Sequence, residues 1–151
     1  MFKPRLSYAK VAPAALEAVM TVETYVRACG LEKRLIELVK LRASQINRCA
    51  FCIDMHAKDA RRAGETPQRL DLLPAWHESP IYSDRERAAL AWTESLTRLS
   101  DDGAPDQFFE RLKDHFTDKE IVDLTVLVGL INLWNRFSVG FRLQHPAADH
   151  A

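Results

Sequence analysis

Two of the three cysteines and one of the five histidines of this chain lie within eight residues, in the order C-x-x-C-x-x-x-H. Cys49 and Cys52 are three residues apart, and His56 follows Cys52 by four. In an α-helix, offsets of three and four residues place side chains on one face and within reach of each other. If the segment after Asn47 is helical, both thiols and the imidazole therefore lie on the same side.

The residues around this motif indicate where such a helix begins and ends. Asn47 is a suitable N-cap for a helix from Arg48 to Ala63, and Gly64 is a suitable stop. Both cysteines would then lie at about the first turn, where free backbone N–H groups and the helix dipole favour a thiolate. We expect a cysteine there to have a pKa below its usual value of about 8.5.

A nucleophile, a second thiol that captures its oxidised form and a neighbouring base are the parts of a thiol redox site. Glu37 lies near the apolar stripe of the preceding predicted helix, so its carboxylate could face the interior. One alternative is zinc, with Cys49, Cys52 and His56 as three ligands and Glu37 or a distant histidine as the fourth. Another is a pair of buried, inert cysteines. We favour the redox site because no second ligand pair at short spacing is present, but the residues leave open which cysteine attacks.

Helix signals dominate the rest of the sequence, and strand signals are scarce. No Asn-Gly or Asp-Gly turn separates alternating apolar runs, so β-hairpins are not expected. We predict an all-α fold in a single domain over residues 1–151, with a core over about 15–141 and a polar tail over 144–151. An extended lead-in over 1–12 precedes predicted helices over about 13–29, 32–46, 48–63, 67–72, 83–100, 105–115 and 117–143.

The composition is that of an ordinary globular protein, with 47% apolar and 28% charged residues and a formal net charge of zero. No basic stripe with interleaved aromatic residues is present, so nucleic acid is not expected as a partner. The longest apolar stretch, 121–134, is shorter than the roughly 20 residues of a membrane span, and the N-terminus lacks a secretory signal. We expect a cytoplasmic protein, in which a C-x-x-C pair is redox-active or metal-binding.

The last predicted helix is apolar on nearly all sides, and a chain of this size has little room to bury it completely. We therefore predict a homo-oligomer. Polar residues interrupt this helix at 132–136, and we expect them to pair with neighbouring helices rather than to line a pocket. Cys29 has no partner nearby in sequence and is expected to be structural. The histidines other than His56 show no ligand spacing.

Glu37, Cys49, Cys52 and His56 together resemble the core motif of the alkyl hydroperoxidase D-like (AhpD-like) proteins of the carboxymuconolactone decarboxylase superfamily. The sequence around the motif, LVKLRASQINRCAFCIDMHAKDARRAGET, and the later LINLWNRF are similar to that group as well. The resemblance covers about residues 15–141. One departure is Phe51, which stands where the best-known members have a histidine just before the second cysteine.

The resemblance implies an all-helical fold that assembles into trimers or hexamers, and a thiol-dependent peroxidase without metal, flavin or haem. It implies that Cys52 is the peroxidatic cysteine that attacks an organic hydroperoxide or hydrogen peroxide, and that Cys49 is the resolving one. Glu37 and His56 would form the proton relay. A dithiol, either a thioredoxin-like protein or a lipoyl carrier, would supply the electrons. Alternatives are a redox sensor or disulfide-exchange protein, a zinc-bound structural protein, and a lactone decarboxylase, an activity of family members that lack the cysteine pair.

Overall fold

The structure is a computed structural model, and it describes residues 3–147. This part of the chain contains nine α-helices and no strand, which confirms the all-α prediction. The helices are α1 (Tyr8–Val11), α2 (Pro13–Ala28), α3 (Lys33–Ile46), α4 (Ala50–Arg62), α5 (Pro67–Leu72), α6 (Asp84–Thr97), α7 (Leu99–Asp102), α8 (Asp106–Lys113) and α9 (Asp118–Phe141). Residues 1–2 and 148–151, which include half of the predicted tail and His150, lie outside the described residues.

Helix α3 is the central element of the fold and packs against α4, α6 and α9. Nine of its fourteen residues are buried, because its apolar side chains recur at helical spacing on more than one side. Leu38 and Val39 are fully buried, and each such side chain contributes about 1.5–3 kcal/mol by leaving water. Replacing Leu38 by Ala would cost about 2–5 kcal/mol, since packed neighbours close such a cavity only partly. The helix that carries Glu37 is therefore firmly held.

Two apolar clusters form the core, and α3 contributes to both. The larger cluster joins α3 to α2, α6, α8 and α9, and includes Val26, Leu112 and Leu127. The smaller cluster joins α3 to α4, α5 and α6, and includes Ala60 and Leu90. Apolar contacts thus fix α4 against α3, which brings the face of α4 that carries the cysteine–histidine motif next to Glu37.

The start of the helix that carries this motif differs from the prediction. Asn47 is not its N-cap: Arg48 has a left-handed backbone (φ 54°), and α4 begins two residues later than predicted, with Cys49 as its N-cap. The reason lies in the Asn47 side chain, whose amide nitrogen donates to the side-chain oxygens of Asn132 (3.0 Å) and Asn135 (2.9 Å) on α9. A side chain engaged across a helix interface is not available to cap the next helix.

Other helix boundaries agree with the sequence signals in part. Capping boxes start α6 at Ser83 and α9 at Thr117, as predicted. The helix predicted over 83–100 is wrong in its last turn, because Arg98 leaves the helical conformation and separates α6 from the short helix α7. The lead-in predicted as extended contains the four-residue helix α1.

Helix α9 is the most apolar helix of the described chain, and the structure buries only part of it. Nine of its residues are buried, including the polar side chains of Asp123 and Asn135. Val122, Leu133 and Val139 remain exposed, by 59%, 36% and 51%. Length and composition alone would also allow this helix to cross a membrane, but the core helix of a soluble protein meets the same criterion. The exposed apolar surface is consistent with the predicted homo-oligomer, which stays a prediction.

Candidate active site

The two cysteines of the motif lie at the N-terminus of α4, and they are joined as a disulfide with a Cα–Cα distance of 5.3 Å. Cys49 is the N-cap residue, and its Sγ accepts a hydrogen bond from the backbone N–H of Cys52 (3.3 Å). Each cysteine is only 1% exposed. The N–H groups of the first helical turn stabilise negative charge at the N-cap position. When the disulfide opens, a thiolate on Cys49 is therefore electrostatically favoured.

His56 lies one turn after Cys52 on α4, and Glu37 approaches it from α3. The Nδ1 atom of His56 is 2.9 Å from Oε2 of Glu37. An ionised carboxylate can only accept hydrogen bonds, so Nδ1 carries the proton that joins the pair, and a neutral ring then has an unprotonated Nε2. His56 is 4% exposed, and its buried Nε2 has no hydrogen-bond partner in the part of the chain that the structure describes. This nitrogen is a base without a partner of its own, which is unusual for a buried polar atom.

A cavity of about 710 Å³ brings these groups together, because Glu37, Cys52 and His56 all lie in its wall. Of the two cysteines, Cys52 lies in the cavity wall and Cys49 does not. The aromatic and large aliphatic lining residues are Tyr8, Met20, Ile36, Phe51, Met55 and Trp134. The volume is within the range of about 300–1,000 Å³ typical of small-molecule sites. Of the four predicted site residues, the structure thus places three in the cavity and the fourth behind it.

A second carboxylate, the buried Glu23 on α2, lines the same cavity and was not singled out from the sequence. It accepts hydrogen bonds from Lys40 Nζ (2.8 Å), Arg27 Nε (3.0 Å) and Trp134 Nε1 (3.1 Å). Burial by itself raises the pKa of Glu23, but the bonds from Lys40, Arg27 and Trp134 outweigh it and hold the pKa below its ordinary value. A sequence signal was present, since Glu23 interrupts the apolar side of α2, but nothing in the sequence identified its partners.

Asn132 and Asn135 within α9 pair with neighbouring helices, as predicted, whereas Trp134 of the same cluster lines the cavity and Arg136 bonds to Asn132 on its own helix. The Asn135 amide donates to Ser44 Oγ (3.0 Å), and the Asn132 amide donates to Thr97 Oγ1 (3.1 Å). Both asparagines also accept from Asn47, just before Cys49. This network attaches the segment that enters α4 to α9, and so fixes the position of the cysteine pair.

Among the described residues, Glu37, His56 and Asp59 are a group that could hold a metal ion, with ligand atoms within 4.8 Å of one another. Their hydrogen bonds compete with such a role: Asp59 accepts from Arg62 (2.7 Å), and Glu37 binds His56. The zinc set considered from the sequence needs Cys49 and Cys52 as thiolates, and a disulfide removes both ligands. Cys29 is a free, half-buried thiol that does not line the cavity.

The fold and the site define an all-helical protein with a cysteine pair at a helix N-terminus beside a buried histidine that is paired with a half-buried glutamate. The model of the carboxymuconolactone decarboxylase family matches residues 13–95, more than half of the chain. The chain is 42% identical over 135 residues to the uncharacterized protein YdfG of Bacillus subtilis (strain 168), across 89% of this chain and 92% of that protein. This protein therefore belongs to the carboxymuconolactone decarboxylase family and is an AhpD-like member of it.

Solved structures give the same result for the fold. A protein of unknown function from Agrobacterium tumefaciens, with a suggested role as the antioxidant defence protein AhpD, is 53% identical and superimposes with a TM-score of 0.94, over 97% of this chain and 100% of that one. The debrominase Bmp8, in complex with 2,3,4-tribromopyrrole, superimposes with a TM-score of 0.82 at 16% identity, over 91% of this chain and 74% of that one. At that identity the likeness concerns the fold alone.

Proposed function

We propose that this protein is a thiol peroxidase that reduces hydroperoxides through the Cys49–Cys52 pair. The observation that carries the proposal is the shared cavity, in whose wall lie Cys52, one half of a disulfide, and a buried histidine whose Nε2 has no partner among the described residues. A cysteine pair that only stabilised the fold would need neither a cavity nor a base. The suggested AhpD role of the Agrobacterium protein, at 53% identity, supports the same class of reaction.

In the proposed cycle, the reduced protein first attacks the peroxide with Cys52. His56 Nε2 takes the Cys52 thiol proton, and Glu37 stabilises the imidazolium through Nδ1. The Cys52 thiolate attacks the terminal oxygen of ROOH, the O–O bond breaks, and Cys52 becomes a sulfenic acid. The proton held by His56 passes to the departing alkoxide and gives ROH. Cys52 has this role in the proposal because it faces the cavity and Cys49 does not.

The second step closes the disulfide. The Cys49 thiolate attacks the Cys52 sulfur, and hydroxide leaves with a proton as water. The pair is close enough for this step without a large rearrangement, since the two Cα atoms are 5.3 Å apart in the disulfide. A fast second step protects Cys52 from further oxidation.

The third step returns the electrons from a dithiol. Its thiolate attacks the sulfur of Cys52, which is the one that faces the cavity, and Cys49 leaves as a thiolate. The backbone N–H of Cys52 donates a hydrogen bond to Cys49 Sγ and so stabilises the Cys49 thiolate. A more stable thiolate is a faster leaving group. The second thiol of the donor then displaces Cys52 and becomes a disulfide itself. Because both cysteines are only 1% exposed, the dithiol has to enter the cavity to reach them. A dithiol that is carried at the end of a long side chain can do this.

A thiol count with one equivalent of cumene hydroperoxide tests the proposal. Cys29→Ser is the starting protein, because it leaves only the pair to be counted. After reduction and removal of the reductant, we expect loss of two thiols on addition of the hydroperoxide. In Cys49→Ser we expect loss of one thiol and a sulfenic acid on Cys52 that reacts with dimedone. In Cys52→Ser we expect no loss above the buffer control.

Two results would contradict the proposal. One is an unchanged thiol count in the starting protein, and the other is an equal reaction in Cys52→Ser. Turnover with a dithiol such as dihydrolipoamide separates a peroxidase from a redox sensor, because a sensor would be oxidised once and would not turn over. Metal analysis of the reduced protein tests the zinc alternative on the same samples.

We also propose that the protein is a homo-oligomer in solution. Exposed apolar side chains outside the cavity occur on two helices that enclose the site, with Val22 and Tyr25 on α2 and Val122 and Val139 on α9. A second copy would remove this surface from water. Light scattering after size exclusion measures the mass, and a monomer mass of 17.2 kDa at micromolar concentration would contradict this part of the proposal.

A further inference from the structure

The cavity is much larger than hydrogen peroxide requires, and its lining is divided by polarity. Buried Ile36 and the half-buried rings of Phe51 and Trp134 form apolar wall next to Cys52 and His56. The exposed sulfur-containing chains of Met20 and Met55 extend this apolar surface towards the solvent. Methionine side chains adapt to irregular apolar ligands, so this lining fits a flexible hydrocarbon group.

The solvent side of the cavity carries positive charge. Arg27, Lys33 and Arg62 line it and are exposed, with the side chains of Arg27 and Arg62 exposed by 72% and 76%. Among described residues, Lys33 has no ion-pair or hydrogen-bond partner, so its ammonium is available to a ligand. Arg27 and Arg62 each use part of their donor fork for one carboxylate, on Glu23 and on Asp59. A guanidinium has five N–H donors, and most of them stay free.

The acidic lining residues do not cancel this charge at the opening. Four cationic and three acidic residues line the cavity. Glu23 is buried between Lys40 and Arg27, and the Glu37 side chain, 18% exposed, is bound to His56. Only Asp59, with a side chain exposed by 39%, lies near the surface, and Arg62 pairs with it. The exposed part of the lining is therefore positive beside an apolar interior.

We propose that the preferred substrate is an amphipathic organic hydroperoxide with a carboxylate head group, such as a hydroperoxy fatty acid. This inference rests on the proposed function. The carboxylate would lie among Lys33, Arg27 and Arg62, and the hydrocarbon chain would extend along Met20, Phe51 and Trp134 to place the peroxide at Cys52. The carboxylate takes no part in the reaction: the O–O bond breaks as before, Cys52 takes the terminal oxygen, and the product is the hydroxy acid.

A binding measurement tests the head-group part without any chemistry. Decanoate and methyl decanoate share one chain and differ in the charge, and neither contains a peroxide. Calorimetric titration of the oxidised wild-type protein is expected to give tighter binding of decanoate, with a difference that shrinks as salt is raised from about 0.01 M to 1 M. Equal affinities for the two compounds would overturn the inference, whatever the protein does with peroxides.

A kinetic comparison tests the same preference in turnover. The ratio of kcat/KM for a hydroperoxy fatty acid to that for its methyl ester is expected to exceed one, and Lys33→Glu is expected to lower this ratio by about 5-fold, in line with an exposed charge pair. Glu suits the first turn of α3, so this variant is expected to fold. The matched control is Lys58→Glu, a charge reversal on α4 outside the cavity, which is expected to leave the ratio unchanged.

The two proposals fail in different ways. If the wild-type protein does not reduce cumene hydroperoxide, an uncharged substrate, the peroxidase proposal is wrong. If it reduces cumene hydroperoxide but treats the fatty acid and its ester alike, only the substrate inference is wrong. An equal drop in the ratio for Lys33→Glu and Lys58→Glu would also overturn it, because the effect would then come from the net charge of the protein and not from the cavity.

Discussion

Two carboxylates, the half-buried Glu37 and the buried Glu23, line the same cavity from different helices, and their partners differ. Glu23 on α2 receives three donors, two of them cationic. Within residues 3–147, Glu37 on α3 binds His56 alone, and the far nitrogen of that ring has no hydrogen-bond partner. The first arrangement satisfies a buried charge completely, while the second leaves a buried base unsatisfied. A fully paired network stabilises a fold, whereas an incomplete one in a cavity is ready for a reactant.

The first prediction concerns Glu37 and has the largest expected effect. Glu37→Gln keeps the size of the side chain but removes the negative charge, so it no longer fixes the proton on Nδ1 or stabilises the imidazolium. We expect the rate of Cys52 oxidation by cumene hydroperoxide to fall by about 10²- to 10⁴-fold. Stopped-flow detection of thiol loss measures this rate.

The control for this variant is Glu17→Gln, on an exposed part of α2 where no side-chain partner of Glu17 is present among the described residues. We expect it to react at the wild-type rate. The free energy of unfolding of Glu37→Gln is expected to stay within about 1 kcal/mol of wild type, because one hydrogen bond is changed and not removed. A slow variant that is also strongly destabilised would assign Glu37 a structural role, like that of Glu23.

The second prediction concerns the other carboxylate, Glu23, and the stability of the fold. Glu23→Gln leaves the ammonium of Lys40, which is 4% exposed, without a counter-charge. Removing one partner of a buried ion pair lowers the free energy of unfolding by about 3–5 kcal/mol. We expect a decrease near the lower value, because Arg27 and the cavity are open to solvent. Urea unfolding at pH 7 measures this loss, with Glu17→Gln again as the control. An unchanged midpoint would mean that the Glu23 network does not stabilise the fold.

The same pair gives a third prediction, on pH. The pKa of Glu23 in the folded protein is below its ordinary value of 4.5, so its contribution to stability is complete above that value. The contribution decreases as the pH falls below 4.5 and through the lowered pKa of the folded state. The difference in unfolding free energy between wild type and Glu23→Gln should therefore be largest at pH 7 and smaller at pH 3. A difference that grows on acidification would contradict this assignment.

The contrast between the two carboxylates also explains what the sequence could predict. Cys49, Cys52 and His56 lie on one helix, so their spacing determines their proximity. Glu37 joins them from the adjacent helix; its place beside the apolar stripe made it a candidate, but its role as a partner of His56 came only with the resemblance to known proteins. The Glu23 cluster joins residues 17 and 111 positions apart, and such contacts depend on how helices pack. The same limit applies to Asn47, where a contact with α9 overrode a local preference for capping.

The last prediction has the smallest expected effect and tests whether the Glu23 network acts as one unit. Trp134→Phe removes one donor to Glu23 and keeps an aromatic ring in the cavity wall. Because Lys40 and Arg27 remain, we expect a loss of about 1.5 kcal/mol, as for a single hydrogen bond to a charged group.

The informative variant is the double one, Trp134→Phe with Glu23→Gln. If the indole N–H stabilises the fold through the charge on Glu23, Trp134→Phe lowers the free energy of unfolding less in the Glu23→Gln protein than in wild type. The loss in the double variant is then smaller than the sum of the two single losses by about 0.5–1 kcal/mol. Strict additivity would mean that Trp134 contributes only by packing.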